Sequence, residues 1–257
     1  MSYWQDRQAE AQNKLTNKTV RQTEKQMRKY YADAMERTIE DFEATYNKIL
    51  AAVEEGREPT PADLYKLDKY WQSQANLRKE LQKLGDKQAV LLSKQFELNF
   101  FDIYYSFGEL GDVSFSSIDK PTVQQMINSI WCADGKSWSQ RIWENTERLA
   151  AELNEGLIHC VATGKKTSEL KNILQERFGV SYSRADALIR TELAHIQTEA
   201  AKKRYEDSGI QEVEIWADED ERRCEVCGQL HQKRYPVGAA VPIPAHPRCR
   251  CCILPVI

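Results

Sequence analysis

The 257-residue sequence contains no run of apolar residues approaching the roughly 20 that a bilayer-spanning helix needs. Its first ten residues, Met1 to Glu10, are polar and hold no apolar segment of the kind that directs export. Together these absences exclude a membrane partner, and the expected location is the cytoplasm of the cell that makes the protein. An excess of one charge is also missing, since 36 Lys and Arg stand against 39 Asp and Glu, a formal net charge of −3. A general nucleic-acid binder carries a broad positive field, so any nucleic-acid contact must come from a local patch. Internal repeats and low-complexity tracts are absent too, which excludes a solenoid array. The apolar share is high enough for a folded core in one large or two modest domains.

From Trp4 to Val53 there is neither proline nor glycine. Met27, Tyr31, Ala34, Phe42, Tyr46, Ile49 and Val53 recur at helical spacing, which predicts one long helix or two in line. The first twenty residues carry few large apolar groups, so that end is expected to project into solvent, meet a partner, or fray. Gly56, Pro59 and Pro61 mark a loop. Thr60 is then an N-cap with Pro61 at the first helical position and Asp63 complementing the dipole. A second helix with the stripe Leu64, Leu67, Trp71, Leu77, Leu81 and Leu84 is expected to stop at Gly85 and to pack antiparallel on the first. A third, from about Asp86, carries Val90, Leu91, Phe96, Phe100, Tyr104 and Tyr105, an aromatic stripe that reads as core. Gly108, Gly111 and the serines up to Ser117 interrupt it, and Pro121 opens a short helix through Ile130.

A domain boundary is placed near Asp134 and Gly135, giving a helical region 1–134 suited to docking on a partner and a second domain 135–257. In the latter, Trp138, Ile142, Leu149, Leu153, Leu157 and Val161 form a helix ending at Gly164. A short helix capped by Thr167 or Ser168 is expected to stop at Gly179, and another, starting at Ser181 and ending at Gly209, carries an Asp186–Arg190 pair four residues apart. Gln211 to Ala217 is the one convincing strand. The remainder is mostly turns: Val237 to Pro247 alone contains one Gly and three Pro, and such a tail needs a staple to be ordered. The fold class is therefore mostly α, with long N-terminal helices and a C-terminal α+β domain ending in a stapled, turn-rich tail.

The staple is visible in the cysteines. Of seven, Cys132 and Cys160 stand alone, whereas Cys224, Cys227, Cys249, Cys251 and Cys252 crowd into the tail. In a chain without an export signal this crowding favours metal ligation over disulfides. Two residues between Cys224 and Cys227 let both sulfurs of a tight turn face one tetrahedral ion, and a pair from a distant loop completes the shell. Both His246 with Cys249 and Cys249 with Cys251 satisfy the spacing. The preferred set is Cys224, Cys227, His246 and Cys249, with Cys251 as the alternative ligand and His231 read as a turn residue. Thiolate mixed with imidazole favours zinc over an iron–sulfur cluster. A catalytic zinc keeps an open position and a carboxylate base, and no carboxylate is placed unambiguously here, although the acidic run Asp218 to Glu221 precedes the first cysteine. The ion is therefore read as structural and the protein as a non-enzyme. Arg222, Arg223, Lys233, Arg234, Arg248 and Arg250 gather around the cluster. They either offset thiolate charge or contact phosphates, with Arg248 and Arg250 the candidate nucleic-acid contacts.

From Ser137 to Pro255 the sequence resembles the phage head morphogenesis proteins typified by the F protein of phage Mu, also called minor head or minor capsid proteins. The resemblance rests on Arg190, Thr191 and Glu192 within a helix, on Tyr205 and Gly209, and on Trp216 to Asp218. It continues through Cys224, Cys227, Leu230 and His231 to Pro244, His246, Pro247, Cys249, Arg250 and Cys251. Gln232 falls where the family often has glycine, and Cys252 adds a thiol. The resemblance implies a low-copy structural component of the head that works with the portal protein and other head proteins during prohead assembly, or on packaged DNA. Such a protein resides in the host cytoplasm first and then in the virion. Consecutive helical residues point in three directions, so Arg190, Thr191 and Glu192 do not form a catalytic unit, and Arg190 or Glu192 is expected to tie the helix to the tail by a buried ion pair. A zinc-supported nuclease or toxin domain, and a plain nucleic-acid-binding zinc module, are the alternative readings.

Overall fold

The structure, a computed structural model, describes residues 3–53, 57–107, 117–217, 221 and 223–256. Gly56, Gly108, Gly111, Asp218, Glu219, Asp220 and Arg222 lie outside the described residues. The elements in order are α1 (Tyr3–Ala52), α2 (Pro61–Tyr65), α3 (Asp68–Ser106), α4 (Lys120–Ile127), α5 (Trp138–Ala162), α6 (Thr167–Asp207), β1 (Glu212–Trp216), α7 (Glu225–Leu230), β2 (Arg234–Pro236) and β3 (Cys252–Val256). No helix among the described residues is long and apolar enough to cross a membrane. The contacts group into two units, one of Met1–Glu24, Leu91–Trp138 and Asp186–Ile257, the other of Lys25–Val90 and Ser139–Ala185.

The second unit is helical. The α1 stripe Met27, Tyr31, Phe42, Tyr46 and Ile49 is buried, as are Leu77, Leu81 and Leu84 of α3, Leu149, Leu153 and Leu157 of α5, and Leu170, Leu174 and Phe178 of α6. Arg37 pairs with Glu80 and Asp41 with Lys69, so α1 and α3 run antiparallel, as the apolar patterning predicts. Tyrosines tie the layers. Tyr46 donates to the carbonyls of Cys160 and Lys165, while Asn145 donates to the Tyr31 hydroxyl and to the Ser181 carbonyl.

Three expectations about helix boundaries need correcting. Thr60 does open a helix, with the reciprocal Thr60–Asp63 box, but that helix is the single turn and a half of α2. Gly85 then stops nothing: α3 runs through it without a break. Its role is close approach, because a Cβ built there would lie 2.3 Å from Trp143 Cζ3. Gly85→Ala should therefore lower stability by about 1–2 kcal/mol, the overpacking outweighing the roughly 1 kcal/mol that alanine gains in helix propensity. Urea unfolding at the midpoint of the tryptophan transition reads this directly. Gly179 likewise sits inside the continuous α6, which replaces the two helices expected there. Gly164 and Gly209, by contrast, adopt φ +61° and +75°, the left-handed geometry of true helix ends.

The first unit contains the sheet, ordered β2-β1-β3 with both pairings antiparallel. The tail thus contributes two strands beyond the expected one. Val213 and Ile215 are fully buried, and Glu214 and Trp216 on the other face are buried as well. That face is covered by the start of α1: Ala9 packs with Trp216, Cys252 and Leu254, and Gln5 and Arg234 hydrogen-bond Glu214. The polar start of α1, from Gln5 to Gln12, therefore neither projects nor frays but lies on the chain's own tail. Gln12 donates to the Ile253 carbonyl at 3.0 Å, and Thr16, Thr19 and Thr23 are buried beside it in sequence. Gln232 has φ +62°, which explains in backbone terms why glycine suits that position.

Candidate metal centre

Residues Cys224 to Cys227 enter the site through α7. Cys224 is its N-cap, and its sulfur accepts the backbone N–H of Cys227 at 3.4 Å. This amide holds the Cys224 thiol below its ordinary range, since a sulfur facing free helix N–H groups is better solvated as thiolate. The second half-site is a tight turn in which the Cys249 N–H donates to the His246 carbonyl at 3.1 Å, with Arg248 between them at φ +62°.

The two halves meet. His246 Nε2 lies 3.3 Å from Cys224 Sγ and 3.1 Å from Cys227 Sγ, and Cys227 Sγ lies 3.8 Å from Cys249 Sγ. Cys224, Cys227 and His246 form one donor triad and Cys227, Cys249 and Cys251 another, so Cys227 belongs to both. Two sulfurs bound tetrahedrally to a zinc at about 2.3 Å stand about 3.8 Å apart, so the sulfur pair already has the edge length of a coordination shell. The imidazole is oriented for the same purpose. Its Nδ1–H donates to the Pro247 carbonyl at 2.8 Å, which leaves the Nε2 lone pair aimed at two sulfurs. Acceptors facing acceptors at that range repel unless a proton or a metal ion sits between them.

Proton sharing among the sulfurs points the same way. A hydrogen bond from Cys251 holds the Cys249 thiol down to about 5, while burial pushes Cys227 up to about 12. The bond to Cys249, added to burial, drives Cys251 well above the ordinary thiol range. A divalent cation at the centre relieves this crowding by replacing protons, and the cluster can hold one. The cavity at the cluster is about 30 Å³, lined in part by Arg223, Arg248 and Arg250, which has room for an ion or a water and not for an organic substrate. His231 belongs to neither triad. It accepts the Ala217 N–H at 3.2 Å and packs edge-on against Trp216.

Arg190, Thr191 and Glu192 make separate contacts. Arg190 pairs with Glu24 and with Asp186, and Asp186 also holds Arg248 at 2.8 Å. Thr191 Oγ1 accepts the Arg248 N–H at 3.1 Å. The helix is thus joined to the metal-site turn through Asp186 and Thr191, two residues whose link to the tail the sequence does not reveal. Because Arg248 is half-exposed, its ion pair contributes no more than about 1 kcal/mol. Glu192 is buried and accepts the Trp131 indole N–H at 3.0 Å. Replacing Glu192 with Ala should cost about 2 kcal/mol, read as a shift of the denaturant midpoint, with Glu192→Gln losing less than half of that because an acceptor remains.

Residues 151–254 match the model of the family described as Phage Mu protein F like protein, the family whose motifs the tail resembles. Among curated proteins, 118 residues are 24% identical to the NAD(+)–arginine ADP-ribosyltransferase EFV of Enterococcus faecalis (strain ATCC 700802 / V583), covering 45% of this chain and 24% of that protein. The chain therefore spans about a quarter of the length of this curated relative. No solved structure matches it.

Proposed function

We propose, with the phage Mu F-like segment 151–254 as the premise, that the protein is a minor head protein. In this reading it is a low-copy structural component that acts with the portal protein and other head proteins in prohead assembly, or on the packaged DNA. It works first in the host cytoplasm and then within the virion. Residues 135–257 form the head-morphogenesis domain, and the helices of 1–134 dock on the portal. The family match is the observation that carries this reading.

The metal is zinc, held by Cys224, Cys227, His246 and Cys249, with Cys251 supplying a hydrogen bond to Cys249 or standing in as a ligand. Sulfur-dominated donors and a cavity the size of one ion support a structural rather than a catalytic centre. The zinc fastens the turn carrying Arg248 and Arg250, the residues offered to nucleic acid. The protein acts without enzymatic chemistry of its own. A toxin-like reading draws on the name of the enterococcal relative, but the chain covers only 24% of that protein.

Mass spectrometry of purified particles and proheads, made with and without this gene, tests the proposal. Recovery of the chain at low copy together with the portal is the expected result. Its absence from particles that otherwise assemble normally overturns the head-protein reading.

A further inference from the structure

Beside the metal cluster, within the same unit, lies a cleft of about 700 Å³, a volume typical of small-ligand sites. It is assembled from three distant segments: the start of α1, the second half of α6 and the turn 246–251. Four guanidiniums line it, those of Arg21, Arg190, Arg248 and Arg250. Among the described residues, the carboxylates set against them include Asp186 in the wall and Glu24 behind Arg190. In a chain of net charge −3, this is a local concentration of positive charge of the kind its composition demands for any anion contact.

The polar groups are placed, not merely present. Asp186 grips Arg190 through Nε and Arg248 through Nη2, which fixes two guanidinium planes at the cleft wall. Further along α6 Gln197, buried, donates its amide to Asn13 of α1 at 3.2 Å. Thr16, only 7% exposed, lines the cleft with a hydroxyl that has no hydrogen-bond partner among the described residues.

We propose that this cleft is a binding site for a phosphate-bearing anion, held by the Arg21, Arg190, Arg248 and Arg250 guanidiniums with the Asn13 and Thr16 side chains as neutral partners. A phosphate fits better than a carboxylate. Asp186 and Glu24 already occupy part of the arginine forks, so an incoming anion must bridge several guanidiniums at once, which needs more acceptor oxygens and more charge than one carboxylate brings. Among the described lining residues none is Phe, Tyr or Trp, and the one imidazole, that of His246, has its Nε2 turned to Cys224 and Cys227. The site therefore lacks the Phe, Tyr or Trp platform of a base-reading groove, and its guanidiniums address the phosphate first. The ligand is a small phosphomonoester or the phosphodiester backbone of a nucleic acid. This inference rests on the cleft alone and does not depend on the head-protein reading.

The test uses the full-length, zinc-loaded chain at about 0.1 M salt, where long-range attraction is screened. Glycerol 3-phosphate, a fluorescein-labelled single-stranded oligonucleotide and glycerate, a monocarboxylate on the same three-carbon skeleton, are titrated separately. Saturable binding of either phosphate ligand is expected, weakened about tenfold by Arg21→Gln or Arg250→Gln as one charge-assisted contact is lost, and unchanged by Arg78→Gln on an exposed helix surface elsewhere. Binding of glycerol 3-phosphate identifies a small phosphorylated ligand, and binding of the oligonucleotide alone identifies the backbone of a nucleic acid. Should the variants misfold, phenylglyoxal labelling of the unmodified protein decides, with Arg21 and Arg250 expected to be protected by saturating ligand. Failure of both phosphate ligands to bind, glycerate binding as tightly as glycerol 3-phosphate, or undiminished labelling of both arginines overturns the proposal.

Discussion

Cys227→Ser is expected to reduce bound metal from one ion per chain to a small fraction and to open the tail over residues 223–256. Cys227 is the donor common to both triads, so neither can close without it. Serine supplies a shorter, harder oxygen that remains protonated at neutral pH, a poor substitute at a thiolate site. Structural zinc contributes on the order of 10 kcal/mol to folding in small zinc modules. Here β3 also pairs with β1 and α1 covers the sheet, so part of the tail's order is independent of the ion. A loss of more than about 3 kcal/mol is nevertheless predicted, among the largest a point change produces. Metal content and hydrogen exchange read the two effects, with protection lost over 223–256 and unchanged over 139–185. Cys132→Ser is the control and should keep its metal, since Cys132 belongs to neither triad. Full metal content and unchanged protection in Cys227→Ser would refute the shared-donor arrangement.

Acid should destabilise the protein through His195. This histidine is 8% exposed, stacks on Trp131 with ring centroids 4.3 Å apart, and has its Nε2 unpartnered among the described residues. Burial, and secondarily the charge of Lys202, lower its pKa from 6.5 to about 4. The folded pKa lies below the unfolded one, so as pH falls the unfolded chain takes up a proton that the folded chain refuses. Stability from this group is therefore complete above pH 6.5, declines as pH drops, and is gone below about 4. The difference amounts to about 3 kcal/mol across that window. The metal site also loses its ion in acid, so the measurement is a difference: urea unfolding of the wild type and of His195→Phe at a series of pH values. The wild type should lose about 3 kcal/mol more than the variant between neutral pH and pH 4. Parallel curves would show that His195 accepts its proton in place.

Local chemistry was legible in the sequence and distant packing was not. Thr60 with Pro61 and Asp63 announces a helix start because a cap is satisfied within four residues. Gly164 and Gly209 announce helix ends for the same reason. Gly85 misleads because the reason for its missing side chain, the Trp143 ring, lies nearly sixty residues away. The buried face of early α1 is hidden differently. Gln12, Thr16, Thr19 and Thr23 keep helical spacing, but a search for apolar periodicity passes over polar residues that are buried. β3 escapes notice because Cys252 to Val256 is short and contains Pro255, which is tolerated there because the strand lies at the sheet edge.

The same division runs through the site. Cys224 with Cys227 and His246 with Cys249 are readable because each pair is made by one tight turn. That Cys227 is shared between two triads, one with His246 and one with Cys249 and Cys251, follows from the tertiary structure. Arg190, Thr191 and Glu192 form a recognisable segment whose roles become apparent only when Glu24, Arg248 and Trp131 are in view.

The most direct measurement of the metal centre is X-ray absorption at the zinc edge of the purified full-length chain, combined with metal analysis. One zinc per chain is expected, with three sulfur neighbours at about 2.3 Å and one nitrogen at about 2.0 Å. A chain that purifies folded without metal and with all its thiols reactive would contradict this expectation.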